Sequence, residues 1–140
     1  MRKIILLLGL GLFTALGAFA QKADSTALKN APEIVFDKTV YNFPTVTKGG
    51  NGTCEFTFTN KGKTPLIISN VDKQCGCTTP EWSKEPVLPG KKGFVKATFN
   101  TQLVGTYTKQ VYVHSNAKTQ LVTLTFNITV VEPKPAETTK

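Results

Sequence analysis

The sequence predicts an all-β chain folded as an immunoglobulin-like β-sandwich of about seven strands. Three observations lead there. Apolar residues recur at every second position in successive segments between Glu33 and Val131, clusters of Gly, Pro and Asn separate those segments, and no apolar repeat of helical period continues for a useful length after residue 20. The chain has 140 residues, room for one ordinary domain with its own core. A small barrel is the alternative. The long Cys, Trp and Cys spacing of antibody domains is absent, because Cys75, Cys77 and Trp82 are clustered.

The first twenty residues read as a signal peptide, residues 1–20. Arg2 and Lys3 precede an apolar run from Ile4 to Phe19, and Ala18-Phe19-Ala20 places small residues before a cut at Ala20-Gln21. The run is shorter than the roughly 20 residues of a spanning helix, so no transmembrane anchor is expected after cleavage. The expected location is periplasmic or secreted. Without the leader the chain carries fifteen lysines, no arginine and nine acidic residues. The lysines are scattered, with only Lys91 and Lys92 adjacent, which argues against nucleic acid and for solvated edges and turns. Residues 21–31 read as a flexible linker, residues 32–131 as the sandwich and residues 132–140 as a disordered, proline-spaced tail. Asn51-Gly52-Thr53 and Asn127-Ile128-Thr129 fit the N-glycosylation pattern, which matters only in a host with that machinery.

Within the domain, Ile34 and Phe36, then Tyr41 and Phe43, mark two short strands, and Pro44 confines the second to a strand end or edge. In Gly52 to Asn60 the residues Cys54, Phe56 and Phe58 share one face, so Cys54 points into the core. Asn60 to Pro65 is a turn, and Leu66 to Val71 is expected as the next strand. Val95, Ala97 and Phe99 form another inward set. Tyr107 to Ser115 carries Val111 and Val113 inside, with His114 on the polar face. In the last strand Val122, Leu124, Phe126, Ile128 and Val130 alternate with Thr123, Thr125, Asn127 and Thr129.

One stretch interrupts the pattern. Val71 to Gly93 holds two of the three cysteines, the one tryptophan and Pro80, Pro86 and Pro89, and reads as a structured loop between strands. The single histidine of the chain completes no nucleophile–base–acid set, Glu81 and Glu85 have no fixed relation, and no phosphate-cradling loop is present, so no enzyme is expected. Two thiols flanking Gly76 are able to clasp Cu(I) or to cycle as a redox pair, because a glycine lets the chain bring the sulfurs together. Zinc needs four ligands, and redox pairs work best on a thioredoxin-like scaffold. The bland alternative is one disulfide and one thiol left over.

The segments Phe56-Thr57-Phe58-Thr59-Asn60-Lys61-Gly62, Pro65-Leu66-Ile67-Ile68, Val71, Cys75-Gly76-Cys77-Thr78, Pro89-Gly90 and Ser115-Asn116 resemble the secreted bacterial family called domain of unknown function 1573. The resemblance spans about Glu33 to Val131 and extends to the abnormal-spindle/Hydin-like and major sperm protein types of sandwich. It implies an Ig-like fold, an extracytoplasmic compartment and a binding or assembly role. The expected function is thus a structural or protein-binding module with an unidentified protein or cell-envelope partner, contacted through Cys75, Gly76, Cys77, Thr78 and Trp82, and with no cofactor. The alternative is copper or thiol chemistry at Cys75 and Cys77. If the chain reverses as a hairpin near residues 62 and 63, Cys54 lies level with about Val71, and a fold-back of the loop is expected to join Cys54 to Cys75 or Cys77; the alternatives are a strained Cys75–Cys77 ring and an open, metal-binding pair.

Overall fold

Strands with one apolar face must bury it against a second layer. The computed structural model, which describes residues 29–134, has two sheets that do so. The expected signal peptide, residues 21–28 of the expected linker and residues 135–140 of the tail lie outside the described residues. Nine strands follow in order: β1 (Ile34–Phe36), β2 (Val40–Asn42), β3 (Val46–Thr47), β4 (Thr53–Asn60), β5 (Ile68–Lys73), β6 (Thr78–Trp82), β7 (Lys92–Phe99), β8 (Gly105–Ser115) and β9 (Leu121–Val131). One sheet runs β1-β4-β7-β6; the other runs β2-β9-β8-β5, with β3 also against β9.

The first three strands share out one edge position, which reconciles nine pieces with the seven expected. β1 pairs antiparallel with β4, then the chain crosses, and β2 and β3 lie parallel to β9 with Pro44 between them. Between the sheets the inward faces expected from alternation pack together. Phe56, Phe58, Val95, Ala97, Val111, Val113, Leu124 and Phe126 are fully buried. Phe126 sits edge-on to Phe43 and Phe99, with centroids 6.1 and 6.2 Å away. Gly93 is required where β7 passes under Phe58, since a Cβ there would overlap that ring.

Three expectations need correction. The strand after the Asn60–Pro65 turn begins at Ile68, because Leu66 instead forms an isolated bridge with Val87. An irregularity between Ile68 and Asn70 then shifts the inward face by one residue, so that Ile68 and Val71 are both buried. Second, the stretch from Val71 to Gly93 is not simply a loop: β6 lies inside it, at the edge of its sheet. Backbone bonds from Asn100 N–H to Cys77 C=O and from Ser83 N–H to Phe94 C=O put the odd-numbered residues on the bonded side. Pro80 falls on the outer side, where a missing N–H costs no ladder bond. Third, the Asn60–Pro65 turn is not a hairpin. It carries the chain from one sheet to the other, so β4 and β5 are not partners.

That crossing is held by Asn60, whose side chain is completely buried. Its Nδ2 donates to the carbonyls of Thr64 (2.8 Å) and Val87 (2.9 Å), and its Oδ1 accepts from Gly62 N–H (2.9 Å) and Glu33 N–H (3.3 Å). Its backbone also donates to Lys91 and accepts from Gly90. Replacing Asn60 by Ala strands these buried groups and is expected to cost about 3 kcal/mol or more in urea unfolding. Asn60→Asp turns an oxygen toward two carbonyls, and its deficit should grow as pH rises and the carboxyl ionises. Phe126→Ala is expected to lose about 3 to 5 kcal/mol, and Thr125→Ala, on the opposite face of β9, far less. Equal losses at 125 and 126 would contradict the assigned faces.

Candidate functional site

Between β5 and β6 the chain makes a short turn at one end of the sandwich. Gln74 N–H donates to Gln110 C=O (3.3 Å), Thr78 N–H to Cys75 C=O (3.4 Å) and Asn100 N–H to Cys77 C=O (2.9 Å). Both arms of the turn are therefore pinned to neighbouring strands. Cys75 and Cys77 are joined in a disulfide, with Cα atoms 5.3 Å apart. Both are half-buried; Cys77 packs against the core while Gly76 at the tip is exposed. The glycine does not act as the sequence suggested. Its φ is not positive, and a Cβ at this position would meet nothing within 4 Å, so the ring closes without special backbone freedom. A ring across one intervening residue removes little freedom from the unfolded chain, about 1.5 kcal/mol against roughly 3 for a loop of some twenty residues.

The expected link from Cys54 to this pair is absent. Cys54 is a free, buried thiol in β4, and its Sγ–H donates to Ala97 C=O at 3.6 Å. Residue pairing explains the separation: Cys54 faces Ala97 of β7, and Ala97 on its other side faces Pro80 of β6. Two strand spacings put β6 roughly 10 Å from Cys54, beyond the roughly 7 Å reach of a disulfide. Counting along an assumed hairpin failed because the turn at Asn60 changes sheets.

Of the residues nominated from sequence, Cys75, Gly76 and Cys77 form the turn before β6, Thr78 opens that strand and Trp82 ends it. Thr78, next to Cys77, is 1% exposed, so its side chain belongs to the interior; its hydroxyl is the one buried side-chain polar atom lacking a partner among the described residues. Trp82 ends β6, four residues on, half-buried against the core. Lys84 Nζ lies 3.1 Å from the Trp82 ring centroid. Ser83 closes the strand end, its Oγ accepting from Phe94 N–H at 3.0 Å. Sequence reasoning passed over Lys84, although two residues along extended chain return to the same side. His114, placed on the polar face, does lie there, with Nε2 2.9 Å from Asp72 Oδ2.

Among the described residues no group of three or more His, Cys, Asp and Glu is arranged to hold a metal. With their sulfurs bonded to each other, Cys75 and Cys77 offer no thiolate to copper unless the bridge is first reduced. No described helix is long and apolar enough to cross a membrane.

Two sheets in this order, with the first strand divided between them, define an immunoglobulin-like β-sandwich. The chain belongs to the DUF1573 family of proteins of unknown function, whose profile matches residues 34–130. Among solved structures it is similar to a protein of unknown function from Porphyromonas gingivalis W83 (TM-score 0.64, 14% identity), covering 76% of this chain and 51% of that one. It is also similar to the ASH/PapD-like domain 7 of human CEP192 (TM-score 0.64, 11% identity), covering 75% of this chain and 89% of that one. A third similarity is to a chaperone–tip adhesion subunit pre-assembly complex of Csu pili from Acinetobacter baumannii (TM-score 0.52, 11% identity), covering 69% and 56% of the two chains. The chain thus spans about half of the P. gingivalis protein. No curated protein sequence matches it.

Burial pushes the Cys54 thiol up from its ordinary 9.0 to about 11, against a smaller lowering by its bond to Ala97. The folded state thus keeps a proton that the unfolded state loses first. Stability contributed by this neutral thiol is complete below pH 9.0 and is lost as pH rises through about 11. Urea midpoints measured across that window should fall more for the wild type than for Cys54→Ala, by roughly 2 to 3 kcal/mol at the alkaline end. Identical pH profiles would contradict the burial of the thiol.

Proposed function

We propose that this chain is exported and acts as an extracytoplasmic module with a structural or protein-binding role, its partner being a protein or another component of the cell envelope. The observation that carries the reading is the side of the sandwich where β5 and β6 lie close, each the last strand of its sheet and neither covered by another strand. Such edges offer backbone donors and acceptors to an extended segment of another chain. Pro80 in β6 and the irregularity in β5 restrict indiscriminate pairing, as protected edges do. Trp82 with Lys84 over its ring supplies an anchor of the kind that dominates protein interfaces.

Export is supported by the basic start, apolar run and small residues of Met1 to Ala20. Structural kinship to a chaperone–subunit complex tilts the reading toward contact between proteins without identifying this chain's partner.

The test is site-specific photocrosslinking in the exporting host, with the probe at Glu81 on the β6 edge or at Thr123 on the outer face of β9. A protein adduct is expected at position 81 and not at 123, on a mature chain whose mass begins at Gln21. Equal labelling at both positions, no adduct at either, or retention of residues 1–20 would overturn the reading.

A further inference from the structure

Four observations at the β5–β6 turn point away from a purely structural disulfide. The bridge joins residues only two apart, so it ties no distant parts of the fold together. The turn has supports besides the sulfur bond, since Gln74 N–H donates to Gln110 C=O, Asn100 N–H to Cys77 C=O and Thr78 N–H to Cys75 C=O. The pair is partly accessible: Cys75 and Cys77 are half-buried, Gly76 between them is exposed, and no residue beyond those two comes within 4 Å of where a Gly76 side chain would stand. Finally, the third cysteine is sealed in the core, one strand removed from β6, so it cannot scramble the pair.

We propose that Cys75–Cys77 is a thiol–disulfide exchange site that takes two electrons from dithiols, of small molecules or of unfolded protein segments. A substrate thiolate attacks Cys75 Sγ, which unlike Cys77 is not packed against the core. The Cys75–Cys77 sulfur bond breaks, a substrate–Cys75 mixed disulfide forms, and Cys77 leaves as a thiolate. The second substrate thiol, as thiolate, attacks the substrate sulfur of the mixed disulfide and expels Cys75. The substrate leaves as a disulfide, and its two protons end on Cys75 and Cys77. The surroundings suit the leaving group. Lys73, two residues before Cys75, adds positive charge at the same turn. This site is independent of the binding role, which requires no electron transfer.

The experiment uses the exported, oxidised chain with reduced, unfolded ribonuclease A under argon. Thiols are capped under native conditions and mapped by mass, and melting curves are recorded in parallel. Expected are new thiols at Cys75 and Cys77 alone and ribonuclease oxidation at least about tenfold faster than with the Cys75→Ala/Cys77→Ala double variant. Cys54→Ala should match the wild type. With oxidised glutathione, Cys77→Ser should hold a mixed disulfide at Cys75, more readily than Cys75→Ser holds one at Cys77. The proposal is overturned if the bridge opens only after urea unfolds the domain, if the double variant oxidises ribonuclease as fast as the wild type, or if that variant fails to fold, which would make the bridge a staple.

Discussion

The buried amide of Asn60 is the constraint on which the two-sheet arrangement rests. A chain that leaves one sheet at the end of β4 and must enter the other at β5 exposes backbone polar groups in a region that the core has dried out. Asn60 satisfies four of them through its side chain and two through its backbone. It joins the start of β1, the crossing turn and the segment before β7 at one point. No apolar side chain of that size has donors and acceptors to do this, and Asp lacks the two donors. The consequence reaches the far end of the molecule: because the crossing separates β4 from β5, Cys54 and the Cys75–Cys77 pair are delivered to different strands with β7 between them.

The division of the first strand has a comparable effect on the surface. β1 pairs with β4 in one sheet, and β2 and β3 lie along β9 in the other, so on this side both sheets end in short strands shared out from the N-terminal segment. On the opposite side the sheets end in the longer strands β5 and β6. Its protection is local, in Pro80 and in the irregularity after Ile68. The β5 and β6 edges and the half-buried disulfide therefore occupy the same side.

Two kinds of sulfur coexist within this small domain. Cys54 lies among apolar side chains, where the neutral thiol is favoured and reagents have no access, and it behaves as a core residue. Cys75 and Cys77 stand half-buried at a turn held by backbone bonds as well as by the bridge. The odd number of cysteines is thereby explained without a missing partner chain.

What the sequence by itself determined is which residues face inward. Side chains on a strand alternate, so Cys54, Phe56 and Phe58, Val95, Ala97 and Phe99, and Leu124 to Val130 could be assigned to the core from spacing alone. The sandwich class followed from the same alternation. Only the tertiary structure decided which strands are neighbours, because pairing depends on contacts distant in sequence, and a turn such as Asn60 to Pro65 reads the same whether it closes a hairpin or changes sheets. The parallel placement of β2 and β3 on β9, the strand concealed around Pro80 and the Cys75–Cys77 connectivity were hidden for that reason. Asn60 was visible only as a turn residue. Its role exists because three segments distant in sequence converge on one buried residue, and convergence of that kind leaves no periodic trace along the chain.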